Sequence, residues 1–166
     1  MTIIFGPSLG KLLPEMTGER LQGRFTISAP VADYNGKPVT PVVSLPQNIN
    51  VGGNALLYDQ INKGVGTTPT VSWSAPALGT PTLYQLRVID LTDLTGTDGV
   101  KTQRRTVATT YTKGNQVTIP DGIMKSGTNY YFQVIAEIWD EYDSSKPFMI
   151  PERLATAGMY TGIMTP

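Results

Sequence analysis

The stretch Met124-Lys125-Ser126-Gly127-Thr128-Asn129-Tyr130-Tyr131-Phe132-Gln133-Val134-Ile135-Ala136 decides the fold of this 166-residue chain. It opens on a turn centred on Gly127 and continues into aromatic and β-branched residues with neither Pro nor Gly to interrupt a ladder. Successive side chains of a strand point to opposite faces. Tyr130, Phe132, Val134 and Ala136 therefore share one face, and Tyr131, Gln133 and Ile135 share the other. The first face reads as core.

Working outward, the same period recurs from Thr70 onward, with Gly, Pro, Asn or Asp in the gaps. Pro69 to Pro76 reads as a strand with Val71 and Trp73 on one face, ended by Pro76, which has no N–H to donate to a ladder. Thr82 to Asp90 is a second, with Tyr84, Leu86 and Val88 on one face and Gln85 and Arg87 on the other. Asp90-Leu-Thr-Asp-Leu-Thr-Gly-Thr-Asp-Gly99 reads as a turn-rich loop. Gln103 to Tyr111 and Gln116 to Ile119 give two more strands, the latter preceded by the turn signal Lys113-Gly114-Asn115. Thr40 to Pro46 or Gln47 to Val51 supplies an earlier strand. Between there and Thr70, Leu56, Leu57 and Tyr58 read as an extra strand or as a loop covering the sheets.

The Met124–Ala136 stretch resembles the fibronectin type III signature that leads from the E–F corner into strand F. That family writes Leu, a variable residue, Pro, Gly, Thr, a polar residue and Tyr, followed by alternating hydrophobes. Gly127, Thr128 and Tyr130 stand where the pattern has them, whereas Met124 replaces Leu and Ser126 replaces Pro. With Trp73 on the second strand and Tyr84 on the third, the resemblance covers residues 39–166. It implies an all-β, immunoglobulin-like, two-sheet antiparallel sandwich with an N-terminal extension. It also implies a tyrosine corner, in which Tyr130 buries its ring and returns its hydroxyl to backbone upstream. Residues 1–38 are too few to bury a core of their own, so they read as an extension or as the remnant of a preceding β domain. Within them, Glu19 to Pro30 faintly echoes Glu152 to Pro166. This makes residues 19–30 an edge strand, either of that preceding domain or docked on this one.

Composition narrows the function. Thirteen basic and thirteen acidic residues cancel, so no net field draws the chain onto nucleic acid or anionic lipid. Hydrophobic residues at 40% and charged residues at 16% fit a globular protein and not a disordered one. There is no Cys and no His, which removes disulfides, thiol chemistry, and the commonest general base and transition-metal ligand. No stretch has the length and apolarity of a membrane span, and the first residues carry no signal-peptide pattern. If the parent protein is exported, its signal is expected upstream.

Candidate sites are few. Asp90, Asp93 and Asp98 crowd one loop while Asp140, Glu141 and Asp143 crowd another, a pattern that invites a hard cation. In the sandwich those loops fall at opposite ends, so solvated turn residues are the expected role. Without His no familiar triad can be assembled, and no phosphate-cradling glycine loop appears. The chain is therefore expected to be non-catalytic and without cofactor or metal.

Two surfaces remain for binding. The F–G loop, Asp140 to Pro151, brings Tyr142, Pro147 and Phe148 to the end where the B–C loop offers Pro76, Leu78 and Pro81. The outward face of strands C and F carries Leu83, Ile89, Tyr131, Ile135 and Trp139 among Gln85, Arg87, Gln133 and Glu137. So apolar a face is expected to be covered, either by residues 1–38 or by the Leu56–Tyr58 stretch. The expected function is a structural or adhesive module of a larger bacterial cell-surface or extracellular protein, with lipoprotein C-terminal domains showing a similar cadence. Its partner would be protein or carbohydrate. Two alternatives stand beside it: a carbohydrate-binding accessory domain, with Trp139, Tyr142 or Phe148 in a flat exposed row, and a self-assembling filament subunit joined by strand addition through the N-terminal segment.

Overall fold

The structure, a computed structural model, describes residues 2–5, 10–12, 20–96, 99–141, 143, 145–146 and 152–166. In chain order the described strands are β1 (Thr2–Phe5), β2 (Gly10–Leu12), β3 (Arg20–Gln22), β4 (Arg24–Ser28), β5 (Gln47–Val51), β6 (Asn54–Ala55) and β7 (Asn62–Lys63). They continue with β8 (Thr70–Ser74), β9 (Leu83–Gly96), β10 (Gly99–Thr112), β11 (Gln116–Thr118), β12 (Asn129–Trp139), β13 (Arg153–Tyr160) and β14 (Met164–Thr165). One short 3₁₀ turn spans Val31–Tyr34. The protein is almost entirely β, as the alternation and the turn residues predict.

β12 is the organising strand. It pairs antiparallel with β9 on one side, Tyr131 opposite Ile89 and Val134 opposite Leu86, and with β13 on the other, Ala136 opposite Ala157. The large sheet extends from β9 to β10, and from β13 to β4 and then β1. Beyond Tyr160 the chain kinks and rejoins β12 as β14, which also holds β7 in parallel. At the kink Thr161 and Phe132 exchange bonds: the Phe132 N–H donates to the Thr161 hydroxyl and the Thr161 N–H to the Phe132 carbonyl, both at 2.9 Å. A smaller sheet has the order β11-β8-β5-β6, and β2 pairs with β3 alone.

The two main sheets share one core. Val51 and Val71 and Trp73 of the small sheet meet Tyr84, Leu86, Phe132 and Val134 of the large one. Phe132 and Val134 have no solvent exposure, and burying side chains of this size contributes about 1.5–3 kcal/mol each. Trp73 stands edge-on to Tyr84, ring centroids 5.3 Å apart and planes at 61°, an arrangement the ring quadrupoles favour. At the start of β12 the Tyr130 hydroxyl accepts the Lys125 N–H at 2.9 Å. The turn before it needs a glycine, since Gly127 has φ of 77°, a region where other L-residues are strained.

One expectation is corrected and two open alternatives are resolved. The Asp90–Gly99 segment is not a loop: β9 and β10 form a long hairpin whose register runs out to Gly96 opposite Gly99. Leu91 explains part of the extension, because it is buried, and Asp90 is neutralised across the ladder. The earlier strand is Gln47–Val51 and not Thr40–Pro46, whose Pro41 and Pro46 remove two donors, although Val43 still plugs the core. Of the Leu56–Tyr58 stretch, Leu56 enters the core while Leu57 is exposed. Asn62 ties this stretch down as a strand would: its side chain donates to the Leu57 and Ile163 carbonyls, each at 2.8 Å, and accepts the Leu57 N–H at 3.0 Å. The approach is so close that a Cβ on Gly162 would collide with the Leu57 carbonyl.

Residues 24–27 pair antiparallel with β13, Phe25 opposite Ala157 and Ile27 opposite Ala155. Part of the N-terminal segment is thus docked on this sandwich as a strand of its large sheet.

Candidate functional site

The loop over residues 75–82 and the start of the 140–152 connection lie at one end of the sandwich. Thr82 joins them: its hydroxyl accepts the Trp139 N–H at 3.1 Å, and its N–H donates to the Glu137 carbonyl at 2.8 Å. Asp140 donates its N–H to the Glu152 carbonyl at 2.9 Å, closing the base of the connection. Beyond it, Asp143 accepts the backbone N–H and the hydroxyl of Ser145 at 2.9 and 2.7 Å. Those bonds, with Lys146 nearby, hold its carboxyl below the ordinary value. This is an Asp acting as a turn former.

Next to that end sits a buried carboxyl. Glu137 lies on the face of β12 opposite the core, yet its exposure is 0%. The Trp139 indole N–H donates to Glu137 Oε2 at 2.6 Å, and Arg153 Nε stands 3.8 Å from the same oxygen. The Arg153 guanidinium also covers the Trp139 ring, 5.1 Å from its centroid, a cation–π contact. Glu137 Oε1 is buried with no partner. Burial pushes this carboxyl above the ordinary glutamate value, against the opposing pull of Arg153, the Trp139 N–H and Arg87. Gln85 lies diagonally across the ladder from Glu137, and its Oε1 is likewise buried and unpartnered while its amide donates to the Tyr111 hydroxyl at 2.5 Å.

The residues singled out in the sequence separate in the structure. Leu78 is exposed, at 50%, and lies against the 41–46 segment: its N–H donates to the Ser44 hydroxyl at 3.0 Å and its carbonyl accepts the Ser44 N–H at 2.9 Å. Trp139 is half-buried at the same end. Tyr131 and Ile135 are not surface residues, at 3% and 8% exposure. Leu83 and Ile89 of the same face are buried as well. Tyr131, Ile89 and Leu91 form a second cluster with Leu21 and Ile163, and Ile61 and Tyr160 pack on it. The covering thus comes from Leu21 of the N-terminal segment together with Ile61, Tyr160 and Ile163, whereas of the Leu56–Tyr58 stretch Leu56 packs in the main core and Leu57 is exposed. Tyr142 and Phe148 lie outside the described residues.

Sequence reasoning missed two pairings. Asp90 is not a loop acid but an inward residue of β9, directly opposite Arg105 of β10. Arg105 donates to its Oδ2 from Nη2 at 2.6 Å and from Nε at 3.1 Å. Glu137 reads in the sequence only as one of four polar residues, with Gln85, Arg87 and Gln133, on the outward face; its carboxyl on a face expected to be covered is the available signal. Among the described residues no three acidic side chains gather as a cation site, and no helix is long and apolar enough to cross a membrane.

No protein-family model matches this chain, and no curated protein matches it.

Proposed function

We propose that this chain is a fibronectin type III-like, non-catalytic structural or adhesive module of a larger exported bacterial protein. The observation that carries the reading is strand order. Within the small sheet β11-β8-β5-β6, and within the large sheet where β10-β9-β12-β13 run side by side before β4 and β1, the order supports a reading as E-B-A against C′-C-F-G, the arrangement that the resemblance implies. The Tyr130 hydroxyl bonded to the Lys125 N–H supports it, as do Trp73 and Tyr84 in the shared core. From fold to function the step is an analogy. A buried outer face adds to it: with Tyr131 and Ile135 covered, the loops at the Leu78 and Trp139 end are the surface such a module presents.

The carbohydrate reading fares less well at its central residue, because Trp139 has its N–H committed to Glu137 and a guanidinium over its ring. Protease treatment of intact producing cells tests the reading. Release of fragments from this chain without lysis is the expected result, and full protection in intact cells with digestion only after lysis would overturn it.

A further inference from the structure

A cleft of about 500 Å³ opens between the β9–β10 hairpin and the turn that precedes β12, within the range of small-molecule sites. Its described walls are polar. The Asp90–Arg105 pair stands on one side, with Thr92 and Thr106 beside it, and Lys125 and Thr128 stand on the other. Tyr130 forms part of the floor.

Three features fit this cleft to a ligand. Arg105 is 69% exposed in its side chain, yet held in place by two bonds to a carboxylate that is 6% exposed, so its guanidinium is a fixed donor fork at a solvent-facing wall. Both bonds fall on Asp90 Oδ2, which leaves Oδ1 outside the ion pair as an acceptor. The Tyr130 hydroxyl already accepts the Lys125 N–H, so its own proton is left to donate. Among the described charged lining groups, two cations face one anion. That surplus favours a ligand with one negative charge, while the threonines that line the cleft beside Asp90 and Lys125, Thr92 and Thr128, and the second Asp90 oxygen suit a ligand bearing hydroxyl groups.

We propose that the cleft binds a small hydroxylated carboxylate, of the chemical class of the sugar acids. Its carboxylate meets Arg105 and Lys125, and its hydroxyls meet Asp90 and the threonines. The site adds a ligand to the module and stands whether or not the module is exported.

Titration of the full, isotope-labelled chain with sodium glucuronate, followed by amide chemical shifts, tests it, with glucose and acetate as controls. Saturable shifts centred on Thr106, Lys125 and Thr128 are expected, with glucose and acetate binding at least about tenfold more weakly because each lacks one half of the recognition. Lys125→Met changes an exposed side chain and keeps the N–H that Tyr130 accepts, so it is expected to weaken glucuronate several-fold with the fold intact. Arg105→Met is the poorer variant, because it strands the Asp90 carboxylate. Absence of saturable shifts at these residues, equal binding of acetate or of glucose, or an undiminished affinity in Lys125→Met would each overturn the proposal.

Discussion

Tyr130 acts at two levels through one side chain: its ring is 2% exposed within the core, and its oxygen accepts a backbone donor five residues upstream. Tyr130→Phe keeps the ring and removes the acceptor, leaving the part-buried Lys125 N–H unpaired, so a loss of about 1–2 kcal/mol is expected in urea unfolding. An unchanged midpoint would show that the hydroxyl is idle. Glu137 has the opposite character, since its ionised form is disfavoured in the folded protein. Burial raises its folded pKa above the unfolded one, so its favourable contribution is present below the ordinary glutamate value and is lost as pH rises through the interval up to the raised value. Arg153, Arg87 and the Trp139 N–H limit the interval without reversing its sign. Glu137→Gln keeps the shape, replaces the unpartnered Oε1 of Glu137 and offers an amide donor near Gln85, whose Oε1 is also unpartnered. Melting temperatures between pH 4 and pH 8 are therefore expected to rise for Glu137→Gln relative to the parent at the upper end and to converge at the lower. A variant less stable than the parent at pH 8 would contradict this.

Among the elements, β12 was the most legible and the β9–β10 hairpin the least. Alternation alone assigns Tyr130, Phe132 and Val134 to the core, and each is buried there, because a face fully covered by an opposing sheet leaves a period-two imprint. The hairpin hides from that test. Its outer half is written in Asp, Thr and Gly, residues of turns, and it stays extended through partners that no local pattern reveals: Arg105 opposite Asp90 and Leu21 against Leu91. The outer face of the large sheet was read as apolar enough to need a cover, and the cover arrives from residues far apart in the chain. Leu21→Ala is expected to cost about 2–4 kcal/mol, because the side chain is 6% exposed among Ile89, Leu91, Tyr131 and Ile163. Leu57→Ala, at 53% exposure, is the matched control and is expected to stay within about 0.5 kcal/mol. Equal effects of the two in denaturant unfolding would mean that the N-terminal segment does not seal that face.

The whole molecule is built on one arrangement: β12 between β9 and β13, with its even-numbered residues turned toward β8 and its odd-numbered residues toward the covering segments. Two sheets with a shared core were legible in the sequence, because the strand runs, their faces and the punctuation agree with one another. Pairings between distant parts were legible only in part: residues 19–30 read as an edge strand, but the register of Arg24–Ile27 on Ala155–Gly158 and the enclosure of Glu137 depend on contacts between segments far apart in the chain. Connectivity assigns Leu78 to an end loop, whereas Trp139 reads as a residue of the outer face and reaches the same end through its bond with Thr82. Amide-resolved NMR of the labelled chain tests the arrangement most directly. Cross-strand contacts are predicted from Tyr131 to Ile89 and from Ala136 to Ala157, together with ring contacts between Trp73 and Tyr84. Helical chemical shifts across residues 129–138, or a β12 paired with neither β9 nor β13, would contradict it.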